Sequence, residues 1–258
     1  MAVVTFMSDY GLKDHYVAAV KGVLMSHGPE IPIIDISHQI TPFDLSHAAH
    51  VLSNAYKHFP SGTVHLVSID TADRMRNRLI ATQIDGQYFL GLDSGLFSLI
   101  SPNEPKEVVE IPSTASTFLA RDVLAEVAVK IAKGTPLQEI GTTIDDDRKL
   151  LTRQPKVTKR EIVGNVIRVD SYGNLISNID KGDFERMMEL NHQPEFLIQF
   201  GREKYYQFHQ GFEEADPGDC YVLFNSDNKL QIGINKGNAA ELLGLWTDST
   251  IYIEFNPE

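Results

Sequence analysis

Thr5-Phe6-Met7-Ser8-Asp9-Tyr10-Gly11-Leu12-Lys13-Asp14, close to the N-terminus, decides how the chain is read. The apolar run Val3 to Met7 stops at a carboxylate and a glycine, and an amphipathic pattern begins at once. A parallel sheet presents an acid at its carboxyl edge in this way. Asp9 is therefore the first candidate for a ligand-binding group. The alternative is that Asp9 or Ser8 simply caps the helix that follows.

Outward from this stretch, strand and helix alternate. The helix expected after Gly11 has Tyr16, Ala19, Val20, Val23 and Leu24 on one face and ends at Gly28-Pro29. Ile31 to Ile36 reads as a strand followed by Ser37-His38. Leu45, Ala48, Ala49, Leu52, Ala55, Tyr56 and Phe59 recur at helical spacing before Pro60-Ser61-Gly62. Thr63 to Ile69 is the next strand, and it too delivers a carboxylate, Asp70, so the two acids are expected to share one edge. The polar, basic segment Thr71 to Arg78 reads as a loop over that edge. Leu79 to Ile84 and Tyr88 to Leu92 flank Asp85-Gly86, the signature of a hairpin. Asp93-Ser94-Gly95 reads as a turn before Leu96 to Ile100, and a last helix carries Leu124, Val127, Ala128 and Ile131 and ends at Gly134.

Composition changes after that glycine. Pro136, Pro155 and the run Asp145-Asp146-Asp147 read as a linker. Short strands follow: Val163 to Val169, Leu175 to Ile179, Phe196 to Phe200, Tyr205 to His209, Tyr221 to Phe224, Leu230 to Ile234 and Ile251 to Phe255, which predicts a small barrel or sandwich. Asp170-Ser171-Tyr172-Gly173-Asn174 offers a carboxylate, an aromatic face and an amide suited to a flat heterocycle. As composition alone it is an ordinary Asp/Gly/Asn turn. Asn235-Lys236-Gly237-Asn238-Ala239-Ala240 reads in the same way as a glycine turn before a helix cap at Asn238.

Bulk properties exclude several classes. The 258 residues can bury a large core and fill two domains. A net charge of -12 speaks against a nucleic-acid partner, which needs clustered Lys and Arg. No apolar run approaches the ~18 residues of a membrane span, and no basic region leads an apolar signal segment, so no membrane association is expected. The single cysteine, Cys220, cannot form an internal disulfide and reads as a structural thiol, which points to the cytoplasm. Nine scattered histidines without zinc spacing give no metal site.

Phe6-Met7-Ser8-Asp9-Tyr10-Gly11, Lys21-Gly22, Asp35-Ile36-Ser37-His38, Phe59-Pro60-Ser61-Gly62-Thr63-Val64, Tyr172-Gly173-Asn174-Leu175-Ile176-Ser177-Asn178-Ile179 and Gly237-Asn238-Ala239-Ala240-Glu241-Leu242-Leu243, in this order, resemble the signature stretches of one family. It is the S-adenosylmethionine hydroxide adenosyltransferase family, whose relatives include fluorinating and chlorinating enzymes. The resemblance runs from about Val4 to Phe255. It implies an α/β fold, with an N-terminal α/β sheet domain over 1–135, a linker over 136–160 and a smaller C-terminal β-barrel domain over 161–258.

It further implies a homotrimer whose adenosylmethionine sites lie between the N-terminal domain of one subunit and the C-terminal domain of a neighbour, with no cofactor beyond the substrate. By the same resemblance Asp9 binds the ribose hydroxyls, and Tyr172, Asn174 and Phe212 hold the adenine. Asn238 and Ala239 lie at the adenine edge, Asp170 and Ser226 face the methionine portion, and Phe43 stands where the halogenating relatives carry a tryptophan.

The family chemistry is displacement of methionine from the ribose C5′ carbon. The sulfonium makes that carbon electrophilic, so the protein has to orient and desolvate a nucleophile. The hydrolytic members use an Asp, an Arg and a His around water. Asp70 matches the Asp, but Asn77 stands at the Arg position, leaving Arg78 best in register ahead of Arg76 and Arg74. In Phe118-Leu119-Ala120-Arg121-Asp122 the His is replaced by Leu119. Hydrolysis to adenosine and methionine, with Asp70 and Arg78 as catalytic groups, is the leading expectation. An adenosyl-binding protein with impaired or no catalysis, and a variant acting on another nucleoside, are the alternatives. Asp70 and Asp73 would repel a halide ion, which counts against halogenation.

Overall fold

β1 (Val4–Ser8) is buried at every residue, as a strand covered on both faces must be. Val4 and Phe6 enter the core on one face, and Met7 enters that on the other. The first face is covered by α1 (Tyr16–His27), through Val17, Val20 and Leu24. β2 (Ile33–Ser37) pairs parallel to β1. α2 (Leu45–Ala55), capped by Asp44 accepting from the His47 N–H, sends Ala48, Ala49 and Leu52 into the opposite face.

The computed structural model describes residues 2–70, 78–113 and 115–256. The chain divides into two compact units, Met1–Thr152 and Arg153–Glu258. In the first, β3 (Val64–Ser68), β4 (Leu79–Ile84), β5 (Gln87–Leu92), β6 (Glu107–Ile111) and β7 (Thr142–Thr143) complete a seven-stranded sheet of order β2-β1-β3-β5-β4-β6-β7. The first four strands in that order are parallel and the rest antiparallel. A π-helical turn at Ala120–Leu124 runs into α3 (Ala125–Ala132), which packs beside α1. α4 (Leu137–Ile140) precedes β7.

The second unit holds β8 (Lys156–Val157), β9 (Glu161–Val169), β10 (Leu175–Asp180), α5 (Lys181–Leu190), β11 (Phe196–Phe200), β12 (Glu203–Tyr205), β13 (Cys220–Phe224), β14 (Lys229–Ile234), α6 (Ala239–Leu243) and β15 (Thr250–Phe255). Its eight-stranded sheet is antiparallel throughout and curls into a nearly closed, barrel-like form. The expected α/β domain followed by a β-barrel domain is therefore what the chain forms. Phe184 of α5 packs its ring among Phe196, Phe208 and Phe224, with centroids 4.6 to 5.7 Å apart across the group.

Some local elements differ from the expectations and others add to them. β6 and α5 were not expected at all. The β12 strand covers Glu203–Tyr205, so 206–209 is not strand. Leu96–Leu99 is a short 3-10 helix. The segment 136–160, read as a linker, carries α4, β7 and β8.

One buried histidine gives the sheet a pH signature. His65 on β3 is inaccessible; its Nδ1 lies 2.7 Å from Thr5 Oγ1, its Nε2 lies 2.6 Å from Gln87 Oε1, and its ring stacks on Phe89. Burial pushes its pKa from 6.5 to about 4, against a smaller opposing pull from Gln87. The unfolded chain then binds the proton more readily than the folded one. Stability from this group is full above pH ~6.5 and falls by about 3 kcal/mol in total as pH drops to ~4. Urea titrations across that range should show the loss, and a His65→Gln variant should flatten it; an equal slope in the variant would contradict this.

Candidate functional site

The parallel strands bring Ser8 and Ser68 into register, so the residues after them, Asp9 and Asp70, emerge at one carboxyl edge. α1 begins at Tyr16 with His15 at the cap position and no side-chain cap, so neither Ser8 nor Asp9 caps it. Instead, Asp9 Oδ2 accepts the Phe43 N–H at 3.1 Å and the Asp70 N–H at 3.2 Å. Both donors lie in left-handed backbone, Phe43 at φ 65° and Asp70 at φ 49°. Non-glycine residues occupy that region only at a cost of about 1–3 kcal/mol each, and such strain clusters at functional sites. Asp9 Oδ1 has no partner among the described residues, which leaves one carboxylate oxygen to meet a ligand.

The loop that carries Asp9 is fastened from behind. Ser8 Oγ lies 2.8 Å from His38 Nδ1, and the His38 carbonyl accepts the Gly11 N–H at 2.7 Å. Gly11 itself has φ +71°, a conformation glycine adopts without penalty. His38 Nε2 stands 3.2 Å from Asp35 Oδ1, and Lys21 Nζ meets Asp35 Oδ2 at 2.6 Å. Burial holds the His38 pKa below the usual value, partly offset by Asp35.

Arg78 lies at this same sheet edge, since Leu79 pairs with Leu92 at the carboxyl end of β5. Its guanidinium is engaged: Nε and Nη2 donate to Asp93 Oδ2 at 3.0 and 2.7 Å, Nη1 to Asp146 Oδ1 at 2.7 Å, and Nη2 to the Asp146 carbonyl at 3.0 Å. Asp93, expected as part of a turn, is a buried anchor for this arginine. Asn77, Arg76, Arg74 and Asp73 lie outside the described residues. Leu119 is buried in the core beside Leu124. A cleft of about 210 Å³ lined by Ile84, Phe97, Ser101, Asn103 and Leu150 contains none of the candidate residues.

In the second unit the two glycine-containing motifs meet. Asp170 Oδ1 accepts the N–H groups of Tyr172 and Asn174, each at 2.9 Å, and Asp170 Oδ2 accepts Asn174 Nδ2 at 2.9 Å. The Asp170 carboxylate thus shapes the turn, as the bland reading of the motif required. Gly173, at φ +82°, lies so close to Asn238 that any side chain would strike its amide, and its carbonyl accepts the Ala240 N–H at 3.0 Å. Asn238 caps α6 by accepting the Glu241 N–H at 3.2 Å. Ala239 is buried behind it. Asn174 Oδ1 accepts the Tyr221 hydroxyl at 3.0 Å, and Tyr221 tilts against Phe212.

Tyr172, Asn174, Phe212, Asn238 and Ala239 are therefore gathered around one turn. The Tyr172 side chain is 80 % exposed and that of Phe212 62 %, and Phe43 in the first unit is 65 % exposed. Ser226 is not part of this group. It sits in the β13–β14 turn, beside the Asp180 end of β10, a strand length of about 20 Å from Asn174. Sequence reasoning missed Tyr221 and the backbone amides of Phe43 and Asp70. Tyr221 was visible as the start of an apolar strand, but its hydroxyl bond to Asn174 was not.

The α/β unit thus carries a strand-edge acid that accepts two amides in left-handed backbone, and the β-barrel unit carries a turn with exposed aromatic residues. The chain belongs to the SAM hydroxide adenosyltransferase family: the model of its N-terminal domain matches residues 4–141 and that of its C-terminal domain residues 164–252. The chain is 30 % identical to an (R)-S-adenosyl-L-methionine hydrolase of Thermus thermophilus over 95 % of this chain and 96 % of that protein. A protein of the same description from Methanocaldococcus jannaschii is 31 % identical, with 94 % and 92 % covered. A fluorinase of Actinoplanes sp. is 27 % identical over 71 % of this chain and 74 % of that protein. Among solved structures, an uncharacterized conserved protein from Thermotoga maritima superposes with a TM-score of 0.86 at 30 % identity, covering 97 % of this chain and 99 % of that one.

Proposed function

We propose that this protein hydrolyses S-adenosylmethionine to adenosine and methionine. The observation that carries the reading is the Asp9 carboxylate, fixed at the sheet edge by the Phe43 and Asp70 amides with one oxygen left over. That oxygen suits the ribose hydroxyls, and the same hydrogen bond ties the sugar-binding acid to Asp70. Two relatives described as (R)-S-adenosyl-L-methionine hydrolases, similar over nearly the whole chain, support the choice of substrate. In the reaction the water oxygen forms a bond to C5′ and the C5′–sulfur bond breaks. The electron pair stays on sulfur and neutralises the sulfonium, and the water proton passes to the Asp70 carboxylate. Halide in place of water is disfavoured by that same carboxylate, fluorinase relatives notwithstanding.

Tyr172, Phe212 and Asn174 take the adenine, with Asn238 and Ala239 at its edge. Asp170 acts by shaping the turn, and Ser226 serves only the far, methionine end of an extended ligand. Arg78, with four of its N–H donors engaged by Asp93 and Asp146, acts by fixing the edge beside Asp70. The open aromatic faces at Phe43, Tyr172 and Phe212 support a homotrimer in which a neighbouring subunit completes each half-site. The single half-buried cysteine fits a reducing cytoplasm. Among the described residues no helix is long and apolar enough to cross a membrane.

Buried Leu119 and engaged Arg78 favour one second reading, an adenosyl-binding protein without turnover. Ligand-free protein incubated with adenosylmethionine, with products separated by chromatography and binding followed by calorimetry, distinguishes the two. Adenosine and methionine released in equal amounts, and lost in Asp70→Asn, support hydrolysis. Tight binding without products supports the second reading, and no binding sinks both.

A further inference from the structure

A hydroxyl pair lies at the same sheet edge as the two carboxylates. Tyr10 follows Asp9 directly, and Ser68 precedes Asp70 by two residues on β3. Tyr10 Oη and Ser68 Oγ stand 2.5 Å apart, and either can be the donor. The two groups own two protons, and their mutual bond consumes one. Neither oxygen has a second partner among the described residues. One hydroxyl proton is therefore left to donate onward, at the strand ends that lead into Asp9 and Asp70.

The pair is also rigid. Ser68 is buried, and the Tyr10 ring is held edge-on by Phe118 at 5.8 Å and by Phe6 at 6.5 Å, with Tyr16 at 5.8 Å on a third side. Leu119, next to Phe118, supplies no polar group. Burial, only partly offset by the bond to Ser68, pushes the Tyr10 pKa up to about 12, with the charge of Asp9 adding to the rise. Tyr10 thus stays protonated at neutral pH and acts as a donor or relay. It is not a base.

We propose that the Tyr10–Ser68 hydroxyl pair positions the attacking water beside Asp70, its spare proton fixing a lone pair of that water so that another points at C5′. The inference rests on the hydrolytic reading. Proton transfer still ends on Asp70; the pair orients the water and gains no net proton.

Tyr10→Phe keeps the ring and removes the oxygen, and Ser68→Ala removes the partner. Adenosine release, adenosylmethionine affinity and thermal midpoint are measured for each variant and for the double. The expected result is a fall in kcat of ~10- to 100-fold in each, with Kd changed less than about 2-fold. The double variant should be no slower than the worse single, because the two groups act as one. Should Tyr10→Phe unfold at the assay temperature, Ser68→Ala decides alone. An unchanged kcat, or a loss confined to Kd, overturns this inference and leaves the hydrolytic reading standing. Absence of turnover in the unsubstituted protein overturns both.

Discussion

Asp9→Ala is expected to weaken adenosylmethionine binding by at least ~100-fold. Hydrogen bonds to a charged acceptor contribute about 1.5–3 kcal/mol each, and a ribose offers two hydroxyls to one carboxylate. The substitution also strips the acceptor from the Phe43 and Asp70 amides, whose left-handed backbone is held in part by those bonds. Asp9→Asn keeps an uncharged acceptor and should lose only ~10-fold. Calorimetric titration of the three proteins gives the order, and wild-type affinity in Asp9→Ala would remove Asp9 from the site.

The second large effect is on stability. Asp93 is almost fully buried, accepts two N–H bonds from Arg78 and takes the Arg148 N–H at 2.8 Å on its other oxygen. Removing Asp93 leaves the largely covered Arg78 guanidinium with only the more exposed Asp146 and Glu110 as counter-charges and strips the Arg148 N–H of its acceptor, at a cost of about 3–5 kcal/mol. Asp93→Ala should fall by that much in urea unfolding. The paired change Asp93→Leu with Arg78→Met, which removes both charges and restores apolar volume, should recover most of it. A loss under ~1 kcal/mol in Asp93→Ala would mean that the pair behaves like a surface ion pair.

How far the residues foretold this molecule depends on whether the signal is local. β1, α1, α2 and the β4–β5 hairpin follow from apolar periodicity and from Asp85-Gly86, which act within a few residues. α5 was missed because its stripe is thin: only Phe184 and Met187 are buried, and the helix rests on Asp180 capping Gly182. β6 was missed because Glu107 and Glu110 interrupt its apolar residues, yet pairing with β4 and β7 makes it a strand. Tertiary pairing overrides local pattern in such cases.

The same division runs through the site. Asp9 and Asp70 were legible as acids ending parallel strands. That they would be joined through the Asp70 amide was not, because left-handed backbone at Phe43 and Asp70 carries no compositional mark. Asp93 reads as a turn residue since its partners, Arg78 and Arg148, are brought to it only by the fold. The turn at Asp170 was legible from its Asp, Gly and Asn residues, and its proximity to Asn238 emerges only from the close approach that Gly173 permits.

The claim at the centre is that water, oriented at the Asp70 edge, attacks C5′ of adenosylmethionine. Turnover in water enriched in oxygen-18, with mass analysis of both products, tests it most directly. The account predicts one heavy oxygen in the 5′-hydroxyl of adenosine and none in methionine. Adenosine without the label, or cleavage yielding methylthioadenosine instead, would contradict it.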